Sequence, residues 1–152
     1  MAIRSLCGTE GGDRPTIETF VGMHRAGIDI TVTCPPDHPN RQPLVDAGVP
    51  TIPLRLRHNF NKDDIATLRR ELVRGDYHIL HTFNSKAVTN GLRACKGLPV
   101  KVVCYRGIVG NLSFLDPMSW RRYLYPRIDR IVCVCEAIRQ WFLHMQPAFL
   151  RM

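Results

Sequence analysis

Between Tyr77 and Gly97 the chain reads YHILHTFNSKAVTNGLRACKG, and polar side chains gather where an apolar run gives way to a helical pattern. His81, Thr82, Asn84, Ser85 and Lys86 fall at the carboxyl end of an expected parallel strand and the start of the next helix. In open α/β sheets the crevice outside such strand ends is where ligands bind. A helix N-terminus adds unpaired N–H groups that suit an anion. His81 and Lys86 are therefore candidates to meet an anionic or hydroxyl-rich ligand. Ser85 also suits a helix cap, a role worth about 1 kcal/mol.

Three further stretches carry chemical potential. Gly8-Thr9-Glu10-Gly11-Gly12-Asp13-Arg14 lies between a strand and a helix, so Gly11 and Gly12 could let backbone approach a phosphate; a tight turn with positive φ is the simpler alternative. It matches neither the P-loop nor the dinucleotide fingerprint. Arg106, in Tyr105-Arg106-Gly107, stands at another strand end and could clamp a phosphate or carboxylate; otherwise it is a surface arginine. Met118 to Arg127 (MSWRRYLYPR) interleaves arginines with Trp120, Tyr123 and Tyr125. That mixture suits a membrane interface, base stacking or sugar contact, or else core aromatics beside solvated arginines. No nucleophilic set and no metal-ligand spacing can be read, so catalytic residues are unknown and no metal is expected.

These residues need a frame. Short apolar runs predict strands over Ala2–Cys7, Asp29–Cys34, Thr51–Leu56, Tyr77–Thr82, Val100–Tyr105 and Arg130–Cys135. Helical spacing predicts helices over Pro15–Ala26, Asn61–Arg74, Ser85–Lys96, Pro117–Arg127 and Glu136–Met145. Gly27 and Gly97 read as helix stops, and Pro35 to Pro43 as an exposed loop. Strand–helix repetition with short connections implies a doubly wound parallel α/β sheet, Rossmann-like, in one domain.

The bulk properties agree. A chain of 152 residues with 45% hydrophobic content is a single globular domain. No apolar run approaches the roughly 20 residues of a membrane span, and no signal peptide is legible at the N-terminus. The six cysteines are scattered, which with no secretion signal reads as reduced thiols in the cytoplasm; Cys133 and Cys135 read as small buried strand residues. The net charge of +8, carried mostly by arginine, implies an anionic partner. The basic residues are spread along the chain, which argues against a nucleic-acid domain.

Several segments resemble, in order, the N-terminal domain of family 4 glycosyltransferases, which have the two-domain GT-B fold. Gly11-Gly12 follows the first strand, and His24-Arg25-Ala26-Gly27 leads into DITVTCPP. Leu44 to Pro50 (LVDAGVP) is similar to the family's L-x-x-x-G-V, and His81 to Ala87 (HTFNSKA) to its H-T-H-S-S-K-A. Leu98-Pro99-Val100, Tyr105-Arg106-Gly107 and Asp129 to Glu136 complete the series. Phe83 replaces the second histidine of the H-T-H pattern, Arg106 stands where a histidine is common, and Cys135 replaces a serine.

The resemblance implies a domain over residues 1–145, a tail over 146–152, and a donor-binding second domain not contained in this chain. It implies a retaining, metal-independent transferase that moves a hexose from a nucleotide sugar to a sugar or lipid-linked acceptor, with no tightly bound cofactor. Gly11, Gly12, His81, Ser85, Lys86 and Arg106 would bind substrate, and this chain alone would be inactive. A peripheral contact with the inner face of a membrane, and a homodimer, are compatible expectations. The alternatives are a non-catalytic module that binds an anionic sugar, nucleotide or lipid surface, and a remnant of a disrupted gene.

Overall fold

The strands of this protein are short, and those at Ser5–Gly8 and Ile30–Cys34 are buried on both sides, because helices cover both faces of one sheet. The computed structural model describes residues 3–8 and 14–145. In chain order the elements are β1 (Ser5–Gly8), α1 (Arg14–Arg25), β2 (Ile30–Cys34), α2 (Arg41–Asp46), β3 (Thr51–Pro53) and α3 (Lys62–Arg74). Then follow β4 (Ile79–Thr82), α4 (Ser85–Ala94), β5 (Lys101–Arg106), α5 (Pro117–Trp120), β6 (Arg130–Cys133) and α6 (Glu136–His144). The sheet has the order β3-β2-β1-β4-β5-β6, with every pairing parallel. The order reverses between β1 and β4, so the crevice of this doubly wound Rossmann-like fold opens there.

Two apolar clusters hold the layers. One gathers Leu68 and Leu72 of α3, Val88 and Leu92 of α4, and Leu80 and Val102 of the sheet. The other joins Ile17 and Phe20 of α1 to Cys7, Ile30, Val32 and Leu44. Helix α4 lies very close to β4: a Cβ at Gly91 would come within 2.7 Å of the Leu80 side chain. That approach fixes the start of α4 against the strand ends.

Several expectations need correction. The stretch before Arg41 is a loop, but a helical turn, α2, follows it and buries Leu44. The helix expected over Pro117–Arg127 stops at Trp120 and continues as turns. Pro126 disfavours helix in the residue before it, and Tyr123 is drawn into the core instead. Cys133 and Cys135 are not buried: Cys133 is half-buried, and Cys135 is exposed beyond the strand at the N-cap of α6. The deep cysteines behave as packing groups, since burial pushes the thiols of Cys7 and Cys95 up to about 12. Gly27 and Gly97 do take positive φ after their helices (79° and 73°).

Residues 146–152, read as a tail, and the Gly11-Gly12 turn lie outside the described residues. Among the described residues, no helix is long and apolar enough to cross a membrane.

Candidate functional site at the strand ends

The helix after β4 is capped by Asn84, whose side chain accepts the Ala87 N–H at 2.9 Å. The cap is therefore not Ser85, which has the capping chemistry but stands one residue too late. Asn84 has the extended backbone an N-cap requires (φ −143°, ψ 168°), while Ser85 is already helical. Ser85 is released for another role, and it lines a pocket of about 150 Å³ together with Arg106, Asn111, Asp116, Ser119 and Arg122.

Arg106 is the central group of that pocket. It is only 5% exposed, so it is no surface arginine. The chain after β5 turns back over its guanidinium: Nε donates to the Ile108 carbonyl at 3.0 Å and an Nη to the Gly110 carbonyl at 2.5 Å. The turn requires positive φ at Gly110 (80°) and Asn111 (55°). The guanidinium also lies 4.6 Å from the centre of the Tyr123 ring, which burial holds above the ordinary tyrosine pKa. All these partners are neutral. Among the described residues, no carboxylate makes an ion pair with Arg106 or Arg122.

Arg122 adds a second cation, and its Nε is buried without a hydrogen-bond partner. The one carboxylate in the lining, Asp116, is engaged elsewhere. It caps α5, accepting from the N–H groups of Met118 (3.0 Å) and Ser119 (2.9 Å) and from the Ser119 hydroxyl (2.7 Å). Those bonds, the Ser119 hydroxyl foremost, lower its pKa.

The neighbouring strand end is built differently. Thr82 points inward, its hydroxyl 3.4 Å from the Val103 carbonyl and 3.2 Å from the Cys104 sulfur. The His81 ring is largely buried, its Nε2 has no hydrogen-bond partner, and burial pushes its pKa down to about 4. It is therefore neutral at pH 7. Phe83 covers it at 4.4 Å between ring centres, stacks on Tyr105 at 5.2 Å and meets Phe20 edge-on at 4.8 Å. The Lys86 Nζ reaches the Leu56 carbonyl at 3.3 Å, in the loop between β3 and α3. That loop is clasped by Asn90 of α4, which donates to the His58 carbonyl and accepts from the Asn61 N–H.

The structure thus brings Ser85 and Arg106 into one pocket. It sets His81 under an aromatic cover and turns Lys86 toward a different loop. Sequence reasoning missed Arg122 as a site residue. The available signal was the arginine–aromatic run at Met118 to Arg127, which did not say which arginine turns inward. Among the described residues, no group of three or more acidic, histidine or cysteine side chains is placed to hold a metal.

The family model described as Glycosyltransferase Family 4 matches residues 11–148. No curated protein matches the chain. Among solved structures, a glycosyltransferase from Rickettsia africae aligns over 95% of this chain with a TM-score of 0.70 at 17% identity, covering 40% of that protein. HepE from Anabaena, solved in complex with UDP, aligns over 94% with a TM-score of 0.65 at 14% identity, again covering 40% of its length. MurG from Acinetobacter baumannii aligns over 69% with a TM-score of 0.54 at 11% identity, covering 35%. At such identities the likeness is one of fold, and this chain spans less than half of each of these proteins.

Proposed function

Since the chain belongs to glycosyltransferase family 4, we propose that it forms the acceptor-side half of a two-domain, nucleotide-sugar-dependent retaining transferase that moves a hexose. The observation that carries this reading is the cluster at the carboxyl ends of β4 and β5, within a sheet of which the family match covers five of the six strands. The likeness in fold to HepE, solved with UDP, makes a uridine-diphosphate sugar the first donor to try. The other wall of the cleft would come from a donor-binding domain outside these 152 residues.

Sugar transfer passes through an oxocarbenium-like transition state with a diphosphate leaving group. Within this domain, the neutral His81 would meet an acceptor hydroxyl only once Phe83 moves off its ring, since its Nε2 is buried. By the family resemblance, Gly11 and Gly12 would bind the donor phosphates. Cationic and N–H groups at the strand ends supply the preorganised field that stabilises developing negative charge.

The test is a reconstitution. The purified chain is mixed with a separately produced donor-side domain of a family member, and UDP release from UDP-glucose is followed with a panel of sugar and lipid acceptors. Turnover that needs both components supports the proposal, and robust transfer by this chain alone would refute the half-site. Binding of acceptors without turnover in any mixture would favour a non-catalytic module, a reading that Phe83 over His81 also suits.

A further inference from the structure

We propose that the pocket at the carboxyl end of β5 binds the phosphoryl group of the acceptor between Arg106, Arg122 and the N-terminus of α4, while an apolar part of that acceptor lies along Ile108, Leu112 and Met118. The inference deepens the acceptor-side reading and rests on it for the word acceptor. The phosphate site itself stands on the pocket.

Three observations carry it. First, a guanidinium buried to 5% exposure holds only neutral partners, so its charge is uncompensated among the described residues. A buried cation without a counter-charge is costly, and a bound anion removes that cost. Second, the buried Nε of Arg122, in the same lining, has no acceptor. Third, α4 is a helix of ten residues whose first residue, Ser85, lines the pocket, so the positive end of its dipole faces the same space.

Two arginines, the Ser85 hydroxyl and a helix end line one pocket, a set of donors that suits a phosphoryl group. Asp116, which caps α5, is felt by Arg122 at longer range without forming an ion pair, and it has no such interaction with Arg106, whose charge stays unmatched among the described residues. Size sets the next limit. At about 150 Å³ the pocket is smaller than sites that enclose a whole ligand, which run to roughly 300–1,000 Å³. It holds one group of a larger molecule. The lip of the pocket is apolar: Ile108 is 52% exposed, and Val109 and Leu115 beside it are 53% and 80% exposed. A phosphate followed by a hydrocarbon segment satisfies both parts. The phosphoryl group could belong to a free metabolite or to a lipid headgroup, and affinity for amphiphiles separates the two.

Calorimetric titration of the 152-residue chain with inorganic phosphate, glycerol 3-phosphate, monododecyl phosphate and dodecyl maltoside tests the site. Phosphate should bind in the millimolar range, and monododecyl phosphate at least about tenfold more tightly because its chain buries apolar surface. Dodecyl maltoside should not compete. Arg122→Gln should weaken every phosphate ligand by about fivefold or more with the melting temperature unchanged. Arg130→Gln, at the amino end of β6, should have no effect and so controls for the overall positive charge.

Equal affinity for inorganic and dodecyl phosphate would overturn the apolar half of the proposal and leave a site for a free phosphate. No phosphate binding up to about 20 mM, or equal losses in both variants, would overturn the proposal. The reconstitution assay keeps the two readings apart. Phosphate binding with no transfer to any acceptor removes the transferase and leaves the pocket. Full transfer to a neutral acceptor, unaffected by Arg122→Gln, removes the pocket and leaves the transferase.

Discussion

The carboxyl ends of β4 and β5 are neighbours in the sheet, paired from Ile79 with Lys101 to Thr82 with Cys104, yet they present opposite surroundings. The β4 end is uncharged and aromatic: His81 is neutral and lies under Phe83, which Phe20 and Tyr105 brace. The β5 end is cationic: Arg106 and Arg122 share a pocket with the first residue of α4. Topology makes both strand ends candidate sites, and it does not decide their chemistry. The chemistry is set by what the following loop does. After β4 the chain enters a helix within two residues, so its own loop offers only Phe83 and Asn84 to cover the end. After β5 ten residues precede the next helix, enough to fold back and enclose a guanidinium.

The largest effect expected from breaking this contrast is at Arg106. Arg106→Ala leaves the Ile108 and Gly110 carbonyls without their donor and removes the cation over Tyr123. A loss of about 3 kcal/mol in urea unfolding follows, together with loss of phosphate binding. Stability unchanged within about 0.5 kcal/mol would mean that the loop does not depend on the guanidinium.

His81 comes next. Its folded pKa of about 4 lies below the ordinary 6.5, so between those values the unfolded chain binds more protons. Stability from this group is complete above pH 6.5 and is lost as the pH falls toward 4. The loss is about 2 kcal/mol after allowance for partial exposure. His81→Gln should flatten that part of the pH–stability curve. Phe83→Ala, which uncovers the ring, should raise the His81 pKa toward 6.5 in an NMR titration. A His81 that titrates near 6.5 in the parent protein would make the two strand ends alike.

The smallest effects separate a cap from a binding residue one position apart. Asn84→Ala should cost about 1 kcal/mol of stability by removing the acceptor for the Ala87 N–H. Ser85→Ala should change stability by less than about 0.5 kcal/mol and weaken phosphate binding instead. The reverse pattern would return the cap to Ser85.

Much of this molecule was legible along the chain because strands and helices follow local periodicities. The order of the elements, the parallel doubly wound sheet and the polar cluster at the β4–α4 junction all came from runs of a few residues. The short helix α2 was missed because six residues that include a proline show too little of a helical period. The helix at Pro117 was drawn too long because the arginine–aromatic run looks helical, whereas Tyr123 is claimed by the core.

What the sequence by itself determined is therefore the frame: which segments are strands, where their carboxyl ends fall, and that His81, Ser85 and Arg106 stand at them. Only the tertiary structure decided what each side chain became there. Burial of a charge or of an imidazole depends on segments that arrive from elsewhere in the chain. Phe20 of α1 helps close the aromatic cover over His81, and Tyr123 and Arg122 complete the surroundings of Arg106. Local pattern carries no information about those arrivals, and they separate a neutral strand end from a cationic one.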